Sequence, residues 1–153
     1  MDVRYKMMEK GEETRVCSLV EKVFNELVAP GYGPEGIREF FKYANPEALA
    51  RRADSGQVVV VAEQGEEMVG VIEMITCSHV SLLFVSRRGQ GIAKELFRLA
   101  MEACRSMQPG LTHVTVNSST YARAAYEKLG FQGTGPQQEK GGIVFVPMVC
   151  AVD

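Results

Sequence analysis

At Gln57 the periodicity of the chain changes, and that change limits the fold more than any other feature. Upstream, apolar residues follow helical spacing. Between Glu12 and Val28, the residues Val16, Cys17, Val20, Val23, Phe24, Leu27 and Val28 share one face, with Arg15, Glu21, Lys22 and Glu26 opposite. Pro30-Gly31 stops this helix, and Gly31-Tyr32-Gly33-Pro34 reads as a loop. A second helix is expected over about 34–43, with Pro34 suited to its first position, and Asn45-Pro46 opens a short helix to about Ala53. Downstream, Gln57–Glu63 is a β-branched run and 64–67 a turn. Two further strands, 68–77 and 79–85, join tightly around Ser78. A strong helix over 91–107 carries Ile92, Leu96, Ala100, Ala103 and Met107 on one stripe and ends at Pro109-Gly110. A strand (111–116), a helix (120–129) and a pair of strands (131–136 and 143–152) complete the chain, and a short strand over 3–8 opens it. The coarse order β-α-α-β-β-β-α-β-α-β-β specifies an α/β (α+β) fold with a mixed central sheet. That sheet is antiparallel in the middle, with helical crossovers toward the C-terminus.

Composition narrows the function classes. The 153 residues, 46% hydrophobic and 24% charged, fit one globular domain with a core of its own. No stretch approaches the ~20 apolar residues of a membrane span, and the first residues lack the apolar region of a secretory signal. Cys17, Cys77, Cys104 and Cys150 stand far apart, with two histidines in the chain, so neither a zinc site nor a disulfide framework is expected. Reduced, buried thiols fit a cytoplasmic protein. The net charge of −2 leaves no footprint for nucleic acid. The halves differ: residues 1–86 balance at −5 and residues 87–153 at +3, a weak pointer to an anionic ligand.

Two segments carry chemistry. In Phe84-Val85-Ser86-Arg87-Arg88-Gly89-Gln90-Gly91-Ile92-Ala93 a strand ends, a Gly-rich turn follows and a helix begins. Glycines let backbone N–H groups turn toward a ligand, and the helix start adds unpaired donors and partial positive charge. Together they suit a pyrophosphate, with Arg87, Arg88 and Lys94 adding charge. A P-loop is excluded because no Gly-Lys-Ser/Thr follows, and Glu95 stands where a dinucleotide fingerprint needs Gly or Ala. In the second segment, Val116 to Phe131, a strand ends in polar residues and a short helix runs to Gly130, a natural C-cap. Tyr126 lies in its last turn. A Tyr there is more often core than catalyst.

Together the segments resemble the GNAT superfamily of acyl-CoA-dependent N-acetyltransferases, in its bacterial form. Arg88-Gly89-Gln90-Gly91-Ile92-Ala93 fits the family's Arg/Gln-x-x-Gly-x-Gly/Ala motif, and Tyr126-Glu127-Lys128-Leu129-Gly130-Phe131 fits its Tyr-x-x-x-Gly-Phe element. The motifs stand in family order, with room for one helix and one strand between them. The resemblance implies a three-layer GNAT-like fold and one acetyltransferase domain over 1–153. Two departures stand out. The connection Ser86-Arg87 is shorter than in many members, and Ser119 stands where many carry an Asn that contacts the pantetheine arm.

The resemblance further implies acetyl-CoA as cosubstrate, no metal, and direct transfer to a small-molecule or peptide amine, with a homodimer compatible. Phe84, Val85, Arg87, Arg88, Gly89, Gln90, Gly91, Ile92, Ala93, Ser119 and Tyr126 would bind the cofactor. A backbone N–H near Phe84 would stabilise the thioester oxyanion. Tyr126 would protonate the leaving thiolate, a phenol of pKa ~10 serving a thiol of ~8.5. Glu73, interrupting the apolar run Val69–Ile75, is the best candidate base, against the plainer reading of a Glu facing water from a half-exposed sheet. His79 or a water relay are the alternatives. Tyr32 is expected in the acceptor wall, between the Gly31–Gly36 loop, the second helix and the terminal hairpin. The rival functions are a non-catalytic acyl-CoA-binding domain and a protein-directed acetyltransferase.

Overall fold

The computed structural model describes residues 2–152. Met1 and Asp153, the ends of the expected 1–153 domain, lie outside the described residues. Strand β1 (Val3–Met7) leads into α1 (Glu13–Val23), α2 (Pro34–Tyr43) and α3 (Pro46–Asp54). Then come β2 (Val58–Gln64), β3 (Glu67–Ile75), β4 (His79–Val85), α4 (Ile92–Met107), β5 (His113–Ser118) and α5 (Arg123–Leu129). Three strands, β6 (Gln132–Gly133), β7 (Gln138–Lys140) and β8 (Ile143–Ala151), close the chain. The first third holds three helices where the coarse order counted two.

The main sheet runs β1-β2-β3-β4-β5-β8-β6, antiparallel except for β4 with β5. Helices cover both faces, which explains the uninterrupted apolar run of β2. Val58, Val60 and Ala62 pack with α4, whereas Val59 and Val61 pack with α1 and α3. Helix α4 buries Ile92, Leu96, Ala100, Met101 and Cys104. Each of its large apolar side chains contributes about 1.5–3 kcal/mol. Gly70 on β3 permits that approach, since a Cβ there would crowd Ile92 and Leu96.

Several expected boundaries move. The first helix is not one α-helix to Val28: it ends at Val23 and widens into a π-helical turn over Phe24–Val28, closed by Ala29 N–H donating to Phe24 O. Of the expected strand 131–136 only Gln132–Gly133 (β6) forms, because the chain leaves the sheet at Thr134–Pro136; β7 forms beyond that range, where the chain rejoins β8. The last helix begins at Arg123 rather than near residue 120. Before it, Ser119 Oγ accepts the Ala122 N–H (3.1 Å), so the polar run forms a capped turn.

Candidate active site

Strands β4 and β5 pair only at His79↔Thr115 and Val80↔Val116. Beyond that point they diverge, leaving one edge of β4 without a strand partner. A cavity of about 540 Å³ fills the opening and extends from the Gly-rich turn to the π-helical turn. Its floor is Val80, Ser81, Leu83, Phe84 and Val85 on one side and Val116, Asn117 and Ser119 on the other.

At one end stands the N-terminus of α4. Gly89 and Gly91 adopt φ of +74° and +70°, the left-handed region that glycine enters without strain. A Cβ at either would meet nothing within 4 Å, so conformation and the space above, not packing, demand glycine. No side chain caps α4, whose first intrahelical bond from this turn is Glu95 N–H to Gly91 O. The first-turn N–H groups therefore point into the opening beside Arg87, Arg88 and Lys94, a natural seat for phosphate. Arg87 pairs with Glu67, and Arg88 donates to the Tyr121 hydroxyl with its guanidinium near that ring. Gln90, expected at this site, does not line the cavity; its amide oxygen accepts from Gln64 (3.3 Å). Ile92 touches the cavity but is chiefly a core residue, 1% exposed.

Tyr126 lines the middle of the cavity from α5. Its ring packs edge-on against Phe131 (centroids 5.4 Å), and its hydroxyl has no hydrogen-bond partner among the described residues. Burial pushes its pKa well above the ordinary phenol value, so it stays protonated. Ser119 lines the same cavity, across the capped turn.

Glu73 does not face water. It is fully buried, which overturns the half-exposed reading: both faces of the sheet are covered. Nor does it line the cavity. Its carboxylate accepts from Arg52 Nε (2.7 Å), Tyr43 Oη (3.0 Å) and Ser81 Oγ (2.7 Å). Arg52 lies over the Tyr43 ring at 3.6 Å, and burial pushes the Tyr43 phenol up to about 12. Ser81 is the one member of this group that reaches the cavity. It occupies a β-bulge: Glu73 pairs with Leu82 and Met74 with Val80, so Ser81 has no partner and its side chain is re-aimed. His79 is elsewhere, with Nδ1 bonded to Thr115 Oγ1 (2.8 Å) and its pKa lowered by burial.

The far end holds Tyr32 with Phe24, Leu27, Val28 and Phe40. Phe24 stacks on Phe40 at 3.8 Å and meets Tyr32 edge-on at 5.4 Å. The terminal hairpin, expected in this wall, contributes no lining residue. Its tip instead docks on α2, where Gly33 N–H donates to Gly142 O (3.0 Å). Ser81, Tyr121 and the π-helical wall were not singled out from the sequence. A bulge and a π turn arise from tertiary packing and leave no residue signature.

A family model described as an acetyltransferase (GNAT) domain matches residues 28–152. The chain belongs to the GNAT acetyltransferase family. Solved GNAT structures share the fold across nearly the whole chain. A GCN5-related N-acetyltransferase of Rhodopseudomonas palustris superposes with a TM-score of 0.80 at 16% identity, covering 99% of this chain and 97% of the other. The PaiA N-acetyltransferase of Thermoplasma acidophilum, solved with coenzyme A, gives 0.80 at 15% identity, covering 99% and 100%. The peptidyl-lysine N-acetyltransferase YjaB of Salmonella typhimurium is 38% identical over 79 residues. This chain spans about half the length of that curated relative, and the match covers 50% of each. The mixed α/β fold of the chain agrees with that membership. Among the described residues no helix is long and apolar enough to cross a membrane.

Proposed function

We propose that the chain acts as one acetyltransferase domain that moves the acetyl group of acetyl-CoA to a primary amine by direct attack in a ternary complex. One observation carries this reading: a single cavity joins the uncapped, glycine-bounded start of α4 to the Tyr126 hydroxyl through the gap between β4 and β5. The pyrophosphate sits on the first-turn N–H groups of α4, and the pantetheine arm pairs with the free edge of β4 in place of a strand. A β4 backbone N–H near Phe84 faces the thioester oxygen and stabilises the charge that develops there. Tyr126 gives its proton to the departing sulfur. Holding amine and thioester in one cavity supplies much of the rate.

The amine must shed a proton. Glu73 receives it through Ser81: the amine N–H donates to Ser81 Oγ while the Ser81 hydroxyl proton passes to Glu73 Oε1. Ser81 bridges the carboxylate and the cavity, whereas Glu73 touches the cavity nowhere else.

The deciding variant is Tyr126→Phe. General-acid assistance is worth about 10²–10⁴-fold, so turnover falls by that range while acetyl-CoA affinity by titration calorimetry is kept. Turnover at the parent rate with a lowered melting temperature would make Tyr126 a core residue and the chain an acyl-CoA binder. For the proton path, Ser81→Ala lowers turnover by about 10²–10⁴-fold with acetyl-CoA affinity kept, and leaves the Arg52–Glu73 pair intact. Glu73→Gln alone would confound the test, because unpairing a buried partner costs about 3–5 kcal/mol of stability.

A further inference from the structure

We propose that the acceptor is a small primary amine with an apolar, preferentially aromatic body, and that polycationic amines are poor substrates. This inference rests on the transferase reading above and specifies its second substrate.

The end of the cavity away from the Gly-rich turn is walled by Val23, Phe24, Leu27, Val28, Tyr32 and Phe40, none of them charged. Among the described residues no Asp or Glu lines the cavity, and the charged lining residues are Arg87, Arg88, Lys94 and Lys128. A polyamine or aminoglycoside carries several ammonium groups. Each one taken from water needs an anionic or strong acceptor partner, and here none is offered. Two carboxylates on elements that border the cavity do not fill the role. Glu73 is already held by three donors behind Ser81, and Glu26, on the π-helical turn, is exposed and does not line the cavity. The ring faces are committed as well. Phe24 and Phe40 stack on each other at 3.8 Å, so those two faces cannot also hold an ammonium. An apolar body, by contrast, gains burial along this wall and an edge-on ring contact of the kind Phe24 makes with Tyr32. Tyr32, whose pKa is raised by burial, offers a neutral hydroxyl as a polar handle.

The backbone supplies an independent observation. The helix that forms this wall abandons α geometry at the wall itself: Phe24, Leu27 and Val28 all lie in the π-helical turn. Such turns are rare, and they recur at functional sites because one added residue re-aims the side chains that follow. Here it widens the helix at the residues that bound the apolar end.

The test uses the full chain with acetyl-CoA and follows release of the CoA thiol. Phenethylamine and hexylamine are compared with spermidine, kanamycin and a lysine-containing peptide. The expected kcat/KM for the two apolar amines exceeds that for the polycations by at least about tenfold, the scale on which apolar pockets discriminate. Leu27→Glu, which places a carboxylate at this half-buried wall position, shrinks or inverts that ratio while calorimetric acetyl-CoA affinity holds. The wild-type ratio decides by itself should that variant fold poorly. Transfer to spermidine, kanamycin or the peptide in preference to the apolar amines overturns this inference and leaves the transferase reading standing. Acetyl-CoA binding with transfer to none of the five overturns the transferase reading, and this inference falls with it. Failure to bind acetyl-CoA refutes the cavity assignment itself.

Discussion

The two ends of the cavity are built differently: backbone makes the Gly-rich end, and side chains make the aromatic end. On the proposed reading the recognising groups at the Gly-rich end are N–H groups of α4 and the free edge of β4, beside two left-handed glycines. At the aromatic end a stacked and edge-on ring cluster, Phe24 with Phe40 and Tyr32, sets the shape. The first kind of surface recognises what every substrate of such an enzyme shares. The second can vary by side-chain substitution without touching the first. The two ends should therefore fail separately.

The largest effect is expected from Gly91→Glu. It forces a φ near +70° on a side-chain-bearing residue and aims a carboxylate into the space meant for phosphate. Losing two charge-assisted bonds, each about 1.5–3 kcal/mol, weakens acetyl-CoA binding at least about a hundredfold in calorimetry. The strained φ costs about 1–2 kcal/mol, a fall of a few degrees in melting temperature, with no added packing penalty because nothing lies within 4 Å of that Cβ. A strong loss of stability with retained binding would break the distinction between the ends.

Gly36→Val should do the reverse. A Cβ at Gly36 would overlap the Gly142 carbonyl, so the hairpin tip must leave α2. Overpacking of this sort costs about 1–3 kcal/mol, read as a lower urea midpoint, with acetyl-CoA affinity kept and KM for the amine raised. Equal loss at both substrates would show that the ends are coupled.

Alkaline pH weakens both faces of the sheet through titration. On the α1–α3 side burial raises Cys17 to about 11 from an ordinary 9 and Tyr43 to about 12 from 10, and on the α4 side it raises Cys104 and Tyr126 as well. The unfolded chain releases these protons first, so folded-state stability is fully present below pH 9 and falls as pH climbs through the raised values. Urea titrations at stepped alkaline pH, with fluorescence of the tyrosines, check the direction; loosening of one face well before the other would set the two faces apart.

Ser119→Ala is the mildest change. It removes one acceptor for the Ala122 N–H and one hydroxyl from the cavity. A neutral hydrogen bond is worth about 0.5–1.5 kcal/mol, so acetyl-CoA should bind up to about tenfold more weakly. No change would mean that the hydroxyl serves the turn alone.

The same division explains what could be read from the sequence. Strand, Gly-rich turn and helix from Phe84 to Ala93 were legible because glycine spacing and helical periodicity encode backbone direction. So was Tyr126, whose place is fixed by Gly130 at the end of its helix. The burial of Glu73 was not: an acidic residue in an apolar strand reads as solvent-facing until helices are known to cover both faces of the sheet. The bulge at Ser81 and the π turn at Phe24–Val28 depend on the register and packing of neighbours far along the chain. Gln90 lies inside a motif whose expected recognition groups are backbone atoms, so the motif says nothing of its side chain, which meets Gln64.

The docking of Gly142 on Gly33 and Gly36 has a consequence for synthesis. The final strand, β8, is internal to the sheet, between β5 and β6, and the hairpin that precedes it rests on α2. Helix α2 therefore has no finished surface to settle on until the hairpin and β8 have left the ribosome. Until then a nascent chain presents an open strand edge and unsatisfied apolar rings. Stalling or truncation within β8 should thus yield an aggregating chain rather than a weakened enzyme, because the strand that closes the sheet also carries the hairpin to α2.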